Sequence, residues 1–229
     1  MNEPIDATLN VFAYDEKIYL NLLATLTRDL VLHPEWKMWT IAGDALISRS
    51  RSRVGSRFLD EGHGDVLVML DADIGCKPGG LEAIIDACVE REAIVAGVYP
   101  VRKFGTGVPL RSILPGKYVI PSDRVVEVEY ASTGFMAIHR KVLEAVAATQ
   151  ERTIHKFWPM FQTETVHNRN GVEMLSEDWA FIARARKLGF KTFMSLKPEL
   201  THWGSHEFRL VDGAFQIPED QPVGISIKG

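Results

Sequence analysis

The sequence predicts an α/β fold in which helices flank a mostly parallel central sheet. The chain has 229 residues, of which 46% are apolar and 24% are charged, as is typical of a globular protein of one domain. In residues 9–100, short apolar runs typical of buried strands alternate with segments whose apolar residues recur at helical spacing. Because a helix carries the chain back across the sheet before the next strand begins, this alternation favours parallel strands.

The first two strand–helix units are predicted within residues 9–58. A strand at residues 9–14 precedes a helix whose apolar residues lie three or four positions apart: Tyr19, Leu22, Leu23, Leu26 and Leu30. A short strand at residues 39–42 ends at Gly43-Asp44. It precedes a helix with one face formed by Leu46, Ser50, Val54 and Phe58.

The third unit begins with the apolar run at residues 66–70, whose β-branched content is typical of a strand covered on both faces. Pro78 is predicted in the first turn of its helix. The buried positions of that helix are expected to be Leu81, Ile84, Ile85 and Cys88. A strand within residues 93–100 then continues the parallel sheet.

The second half of the chain has a different pattern. Residues 104–123 contain several Gly and Pro, and residues 125–139 alternate as an antiparallel strand does, with Thr133-Gly134-Phe135 at the centre. Residues 153–175 have no clear period and predict an irregular, substrate-facing loop. The sequence therefore predicts a smaller antiparallel portion beside the parallel sheet.

Two further helices and a tail complete the predicted fold. One helix spans residues 141–149, and the other spans residues 176–190, capped by Ser176 and ended by Gly189. The tail from Phe208 onwards has little periodicity and is expected to form a lid or a contact arm.

Charge and composition exclude several classes of protein. The net charge of −4 argues against non-specific binding to nucleic acid. Cys76 and Cys88 provide neither a disulfide framework nor a zinc motif. The beginning of the chain lacks the basic and apolar regions of a signal peptide, and no segment reaches the roughly 18 apolar residues of a membrane span. We therefore expect a cytoplasmic location.

The stretch VLVMLDADIGCKP carries the first sign of chemistry. Asp71 and Asp73 follow a buried strand directly, and in an extended chain their side chains point the same way. Two neighbouring carboxylates repel each other unless a cation neutralises them or they share a proton. Oxygen ligands of this kind suit Mg²⁺ or Mn²⁺. The alternative is a strand followed by an Asx-type turn and a helix cap, since Pro78 comes soon after.

Four motifs in order make the chain resemble a GT-A type glycosyltransferase. They are DADIG, YASTGFMAIHRKVLE, SEDWAFIARARKLGF and THWGSH, and the resemblance extends over residues 9–206. It implies one GT-A (Rossmann-like) domain over residues 1–229. Within it, residues 9–100 would form the nucleotide-sugar-binding half, residues 101–206 the acceptor-side half, and residues 207–229 a tail or lid.

The resemblance assigns a metal site and an acidic pair. Asp71 and Asp73 would bind Mn²⁺ or Mg²⁺ across the diphosphate of a nucleotide-sugar donor, and His202 would complete the metal shell, with His206 as its substitute. Glu177 and Asp178 would lie beneath the acceptor, with Asp178 as general base if the enzyme inverts and Glu177 orienting the site. The helix macrodipole alone favours acidic residues at this helix start, so a structural role is the alternative.

Four residues at or near strand ends are predicted to contact the donor. The resemblance gives Gly134 and Phe135 to the sugar pocket, although Gly134 could merely mark a bulge. Tyr14 and Asp44 resemble positions that hold the base and the ribose, at the crevice where open α/β sheets bind ligands.

An arginine cluster lies in the second predicted helix. Arg49, Arg53 and Arg57 share one helical face, and Arg49, with Arg53 behind it, is predicted to contact the donor. Arg51 and Arg57 are predicted to be solvated.

The resulting prediction is a metal-dependent glycosyltransferase that moves a hexose from a nucleotide-diphosphate sugar to an acceptor hydroxyl. A UDP-sugar is favoured over a GDP-sugar. The acceptor stays open between a saccharide, a lipid-linked glycan, a protein and a modified nucleobase. One alternative is a haloacid-dehalogenase-like phosphatase with Asp71 as nucleophile, although that family carries its motif in the first strand. Another is a binding module for nucleotide-sugars or glycans without turnover.

Overall fold

The computed structural model describes residues 4–100, 108, 110–111, 122–168, 171–204 and 207–209. In chain order its strands are β1 (Ala7–Ala13), β2 (Lys37–Ala42), β3 (Val66–Asp71), β4 (Ile74–Cys76), β5 (Ile94–Gly97), β6 (Leu110–Arg111), β7 (Val125–Val128), β8 (Tyr130–Ala131), β9 (Phe135–His139), β10 (Glu164–Asn168), β11 (Gly171–Leu175), β12 (Thr192–Ser195), β13 (Leu200–Trp203) and β14 (Glu207–Arg209). Its helices are α1 (Leu20–Leu32), α2 (Ile47–Glu61), α3 (Gly80–Arg91), α4 (Arg140–Ala148) and α5 (Glu177–Lys187).

A seven-stranded sheet in the order β2-β1-β3-β9-β5-β12-β7 organises the described residues. Strands β2, β1, β3, β5 and β12 run in one direction, and β9 and β7 run against them. This confirms the predicted α/β fold with a mostly parallel sheet and a smaller antiparallel portion. The alternating segment at residues 125–139 supplies both reversed strands, and these strands are not neighbours in the sheet.

Helices cover both faces of the sheet. Apolar residues of α2, α4 and α5 pack on one face, and those of α1 and α3 pack on the other. Strand β3 lies in the middle of this arrangement, and residues 66–70 are fully buried. A strand covered on both faces needs a continuous apolar run, which is what the sequence provides. The first polar residues after that run therefore emerge at the edge of the sheet.

Two local predictions are wrong. Helix α3 begins at Gly80, so Pro78 lies in the turn before it. The backbone N–H of Gly80 donates to the Lys77 carbonyl (3.1 Å), and Gly79 has φ 78° and ψ 0°, as the third residue of a type II turn with proline in second place requires.

The second wrong prediction concerns residues 153–175, which contain the antiparallel hairpin of β10 and β11. Val172 and Met174 are exposed on one face, and the opposite face mixes the buried Leu175 and the partly buried Val166 with Glu164 and Glu173, so the hairpin has no alternating apolar pattern.

Other predictions fall on the helix ends or outside the described residues. Gly189 has φ 91° and follows the last turn of α5, as predicted. Ser176 occupies the N-cap position, but its hydroxyl makes no capping hydrogen bond to the backbone. His206, the tail from residue 210 and most of residues 104–121 lie outside the described residues.

Among the helices that the structure describes, none is long and apolar enough to cross a membrane.

A histidine links the end of α1 to the start of α3. The His33 ring stacks on Trp36 with 4.0 Å between centroids, and its Nδ1 and Nε2 atoms lie 3.1 and 2.6 Å from carboxylate oxygens of Glu35 and Glu82. Burial lowers the pKa of His33, but hydrogen bonds to Glu82 and Glu35 outweigh burial and raise the pKa above its ordinary value.

The His33 cluster predicts a pH-dependent stability. A raised folded-state pKa means that the imidazolium stabilises the fold below the unfolded pKa of about 6.5, and this contribution is lost as the pH rises through the folded value. We expect His33→Gln to lower the free energy of unfolding by about 1 kcal/mol more near pH 6 than near pH 9. Urea denaturation at both pH values measures this, with His155→Gln as an exposed control. An equal loss at both pH values would contradict the prediction.

Candidate active site

Backbone hydrogen bonds hold the two aspartates in place at the end of β3. The N–H of Asp71 donates to the Gly134 carbonyl (2.9 Å), which joins the end of β3 to the start of β9. The carbonyl of Asp73 accepts from the N–H of Trp203 (2.9 Å), which joins the loop to β13. Ala72 is fixed on the other side by its N–H bond to the Phe12 carbonyl (3.2 Å). The two carboxylates are thus presented by backbone that is paired on both sides.

A cavity of about 380 Å³ opens beside these aspartates. Of the predicted site residues, Tyr14, Asp44, Asp71 and Asp73 line it. Tyr14 is 66% exposed and lies at its mouth, following β1. The cavity therefore lies where the sequence places it, at the ends of β1, β2 and β3.

Arg51 also lines this cavity, and its predicted solvated position is wrong. The residue is 5% exposed. Its guanidinium donates through one terminal nitrogen to a carboxylate oxygen of Glu177 and through the other to Oδ1 of Asp71 (3.2 Å). Burial lowers the pKa of Arg51, but the two carboxylates more than offset it, so the guanidinium stays charged. One buried cation thus connects β3 with the first turn of α5.

Arg49 and Arg53 form a second cationic group, which lies beside Asp44 but does not line the cavity. Arg49 donates from Nε and one terminal nitrogen to both carboxylate oxygens of Asp44 (3.0 and 2.6 Å), and Arg53 lies 4.0 Å from the same group. The hydrogen bond from Arg49, only partly offset by burial, lowers the pKa of Asp44 to about 2. Arg49 and Arg53 do not line the cavity, so Arg49 reaches it only through Asp44. Their direct contact with a donor stays a prediction.

Asp73 and His202 face each other across the loop. His202 Nε2 lies 3.5 Å from Asp73 Oδ2, and its Nδ1 lies 2.8 Å from the Pro100 carbonyl oxygen. A carbonyl only accepts, so Nδ1 carries the proton, and in the neutral ring Nε2 is an acceptor. Two acceptors in this arrangement are stabilised by a shared proton or by a cation.

The predicted three-ligand metal shell is not assembled within the described part of the chain. No group of three His, Cys, Asp or Glu side chains there lies close enough to hold an ion. Asp71 is bonded to Arg51 instead. Asp73 and His202 are the two predicted ligands that lie together.

Neither Gly134 nor Phe135 lines the cavity. A Cβ on Gly134 would lie 2.5 Å from the hydroxyl oxygen of Tyr99 and 2.6 Å from a methyl carbon of Ile74, so the position admits only glycine. Phe135 is 0% exposed and packs in the core, which contradicts its predicted contact with the donor. The segment instead supports the site through the Gly134 carbonyl that holds Asp71.

Glu177 and Asp178, at the start of α5, bind different partners. Glu177 bonds to Arg51, and burial raises its pKa although Arg51 lowers it. Asp178 is 6% exposed, and its carboxylate accepts from the Ser132 hydroxyl (2.9 Å), the Ser176 hydroxyl and the N–H of Trp179 (2.8 Å). Its orientation is therefore fixed by three donors.

Trp179 lies in a packed position rather than in the cavity. Its ring stacks on Tyr130 with 4.9 Å between centroids, and the guanidinium carbon of Arg111 lies 4.8 Å from the ring centre. Trp179 is 8% exposed and does not line the cavity.

Solved structures that resemble this chain include the following two. A crystal structure of A197 from STIV matches with a TM-score of 0.63 at 16% identity, covering 95% of this chain and 100% of that chain. A crystal structure of GalNAc-T7 with UDP, GalNAc and Mn²⁺ matches with a TM-score of 0.54 at 10% identity, covering 97% of this chain and 47% of that chain. The fold is GT-A-like. No protein-family model and no curated protein sequence matches the chain, so the likeness concerns the fold alone.

The importance of Arg51 was missed although the sequence contains a signal for it. Arg51 precedes Val54 by three positions, Gly55 by four and Phe58 by seven, so it shares the buried side of α2 with them. An arginine on the apolar side of a helix must meet a counter-charge, because burying it alone is prohibitively costly. The helical spacing therefore predicts a buried ion pair, and the sequence leaves open which carboxylates complete it.

Removal of Arg51 should destabilise the protein. We expect Arg51→Met to lower the free energy of unfolding by about 2 kcal/mol, because it leaves two partly buried carboxylates without their cation. Arg57→Met is the matched control on the same helix, since Arg57 is exposed and its pair with Glu61 (3.0 Å) should contribute below about 0.5 kcal/mol. Chemical denaturation measures both variants. Equally small losses would show that the Arg51 ion pairs contribute nothing net.

Proposed function

We propose that this protein is a metal-dependent glycosyltransferase that moves a hexose from a nucleotide-diphosphate sugar to an acceptor hydroxyl, with a UDP-sugar as the first candidate donor. The observation that carries the proposal is the cavity at the ends of β1, β2 and β3, where Asp71, Asp73, Tyr14 and Asp44 meet. The GT-A-like fold supports the reaction class. It lends no support to a dehalogenase-type phosphatase with Asp71 as nucleophile.

The charges around the cavity fit a diphosphate leaving group. Departure of a nucleotide diphosphate is eased when cations absorb the negative charge that develops. Arg51 lines the cavity, and its Nε–H has no hydrogen-bond partner within the residues that the structure describes. A buried donor without a partner is costly, so it favours a ligand oxygen nearby. Mn²⁺ or Mg²⁺ would supply the remaining positive charge.

The chemistry of the ligand set supports a divalent ion. The Nε2 atom of His202 and the Oδ2 atom of Asp73 are two acceptors 3.5 Å apart, and the Pro100 carbonyl fixes the ring orientation, as is common for metal-binding histidines. We propose that Asp73 and His202 hold the ion. Asp71 would become a further ligand when the diphosphate attracts Arg51 away from it. The ion would neutralise the leaving group.

The acceptor side of the proposal rests on α5. Asp178 is proposed as the general base, because hydrogen bonds from Ser132 and Ser176 fix its carboxylate and a base in this reaction needs position more than a high pKa. Glu177 is proposed to orient Arg51. The acceptor itself can be a saccharide, a lipid-linked glycan, a protein or a modified nucleobase.

Donor hydrolysis and donor binding test the proposal. We expect one nucleotide-sugar of a panel of UDP- and GDP-sugars to release its nucleotide slowly with Mn²⁺ or Mg²⁺ present. Calorimetry should show that UDP binds at least tenfold more tightly with Mn²⁺ than with EDTA, and that Asp73→Asn removes the difference, because it removes a charged ligand. Asp60→Asn is the control, since Asp60 lies outside the cavity.

Two outcomes separate the possibilities. Metal-independent UDP binding that Asp73→Asn does not change would contradict the metal site. Binding with metal but without release of nucleotide or sugar transfer, for the whole panel, would leave a binding module instead of an enzyme.

The two acidic residues of α5 should differ in kinetics. We expect Asp178→Asn to lower sugar transfer by roughly 10² to 10⁴-fold with donor affinity nearly unchanged, as for loss of a general base. Glu177→Gln should instead weaken donor binding, because the substitution removes one of the two carboxylates that orient Arg51 and leaves only Asp71. Steady-state kinetics of both variants measure the split between kcat and KM. Near-normal transfer by Asp178→Asn would limit that residue to its role in the first turn of α5.

A further inference from the structure

A second cavity, of about 570 Å³, lies beside α2 and the loop at residues 155–157. It is separate from the cavity of the aspartates, although Ile41 lines both. Its size falls within the range of small-molecule sites. The function proposed above assigns no role to the polar side chains that line the second cavity. Arg53 is the one member of this lining that the sequence also predicts to contact the donor.

A buried amide lies at the base of this second cavity. Asn10, in the middle of β1, is 1% exposed and lines the cavity, and its Nδ2 has no hydrogen-bond partner in the described part of the chain. A buried amide without a partner costs on the order of 1–3 kcal/mol, so its presence calls for an explanation. A bound acceptor group would provide one.

The rim of the second cavity carries an excess of positive charge. Arg53, Arg57 and Lys156 are exposed there. The two carboxylates of the lining are already paired, Asp60 with Arg152 (2.5 Å) and Glu61 with Arg57 (3.0 Å). Lys156 has no ion pair within the described residues.

Neutral groups complete the lining. The hydroxyl-bearing Thr40 and Ser56 line the cavity together with the apolar Phe157. Ser56 Oγ accepts from the N–H of Trp158 (2.8 Å), which leaves its own O–H as a donor. Arg57 is held in place by the Trp39 ring, 4.2 Å from its guanidinium carbon. The cavity thus combines cations at the rim with neutral donors towards the base.

We propose that the second cavity binds a small polar molecule that carries an oxyanion, either a phosphate or a carboxylate. Lys156 and Arg57 hold the oxyanion at the rim, and the Asn10 amide donates to an oxygen of the body of the molecule. The site is independent of the donor cavity, so a nucleotide diphosphate and this ligand bind at the same time.

The experiment is calorimetric titration of the full chain, saturated with UDP and Mn²⁺, with inorganic phosphate, glucose 6-phosphate and glucuronate. We expect at least one of these probes to bind, and the comparison of the last two assigns phosphate or carboxylate. Lys156→Glu should weaken binding at least tenfold, whereas Lys197→Glu, at an exposed lysine after β12, should stay within about twofold. Absence of binding by all three probes, or equal effects of both substitutions, would overturn the proposal.

Asn10→Leu separates a ligand contact from a structural role. The substitution is close in size and removes the unpartnered amide, so thermal unfolding of the unliganded variant should occur at the same or a higher temperature, while binding of the probe falls at least tenfold. Retained binding with a lowered unfolding temperature would make Asn10 structural and would contradict the proposed contact. Probe binding that occurs only without UDP would place the oxyanion in the donor cavity and overturn the second site.

Discussion

One buried guanidinium holds the candidate active site together. Arg51 enters from α2 and binds carboxylates from β3, the next element along the chain, and from α5, which lies 126 positions away. Asp71 and Glu177 could not be packed so closely without it, because neighbouring carboxylates raise the free energy of ionising each other. The helix that carries Arg51 is in turn packed closely against Met160 and Phe161: a Cβ on Gly55 would lie 2.7 Å from the methyl carbon of Met160, and the Ser52 hydroxyl oxygen accepts from the N–H of Phe161 (3.0 Å).

The same ion pair joins the two sides of the proposed reaction. The proposal assigns Asp71 to the donor side and Glu177 to the acceptor side, and the two carboxylates share one cation. A ligand that attracts Arg51 therefore changes the electrostatic environment of both carboxylates together. Asp73 and Asp178 are held differently, by His202 and by serine hydroxyls, so they can keep their positions when the charge on Arg51 is redistributed.

The sequence predicts the features that arise from local periodicity. Alternation of strands and helices in residues 9–100 is a property of short segments, and so is the appearance of Asp71 and Asp73 at the end of β3. The insertion of β9 between β3 and β5 is not, because it depends on packing between distant segments. The burial of Phe135 was missed for a related reason, since a strand covered on both faces gives no pattern that separates cavity from core.

The placement of charged residues shows the same limit. The helical spacing of Arg49, Arg53 and Arg57 predicts that they share one face of α2, and the predicted solvated position of Arg57 is confirmed. Arg51 lies on the opposite side, where its partners come from residues 20 and 126 positions away. No pattern in a single sequence identifies such partners, so the candidate site could be located at the sheet edge but its internal connections could not be predicted.

The pairing of β13 with β4 has a consequence for the order of folding. His202 meets Asp73 only because Leu200–Trp203 returns from near the end of the chain to lie beside Ile74–Cys76. During synthesis on the ribosome, β1, β2 and β3 emerge long before β13 does. Contacts of such large sequence separation form late, since loop closure must be completed first. Strands β1, β2 and β3 can thus pair while the Asp73–His202 contact is still absent, so the two ligands proposed for the metal come together later in folding than the strands that present Asp71.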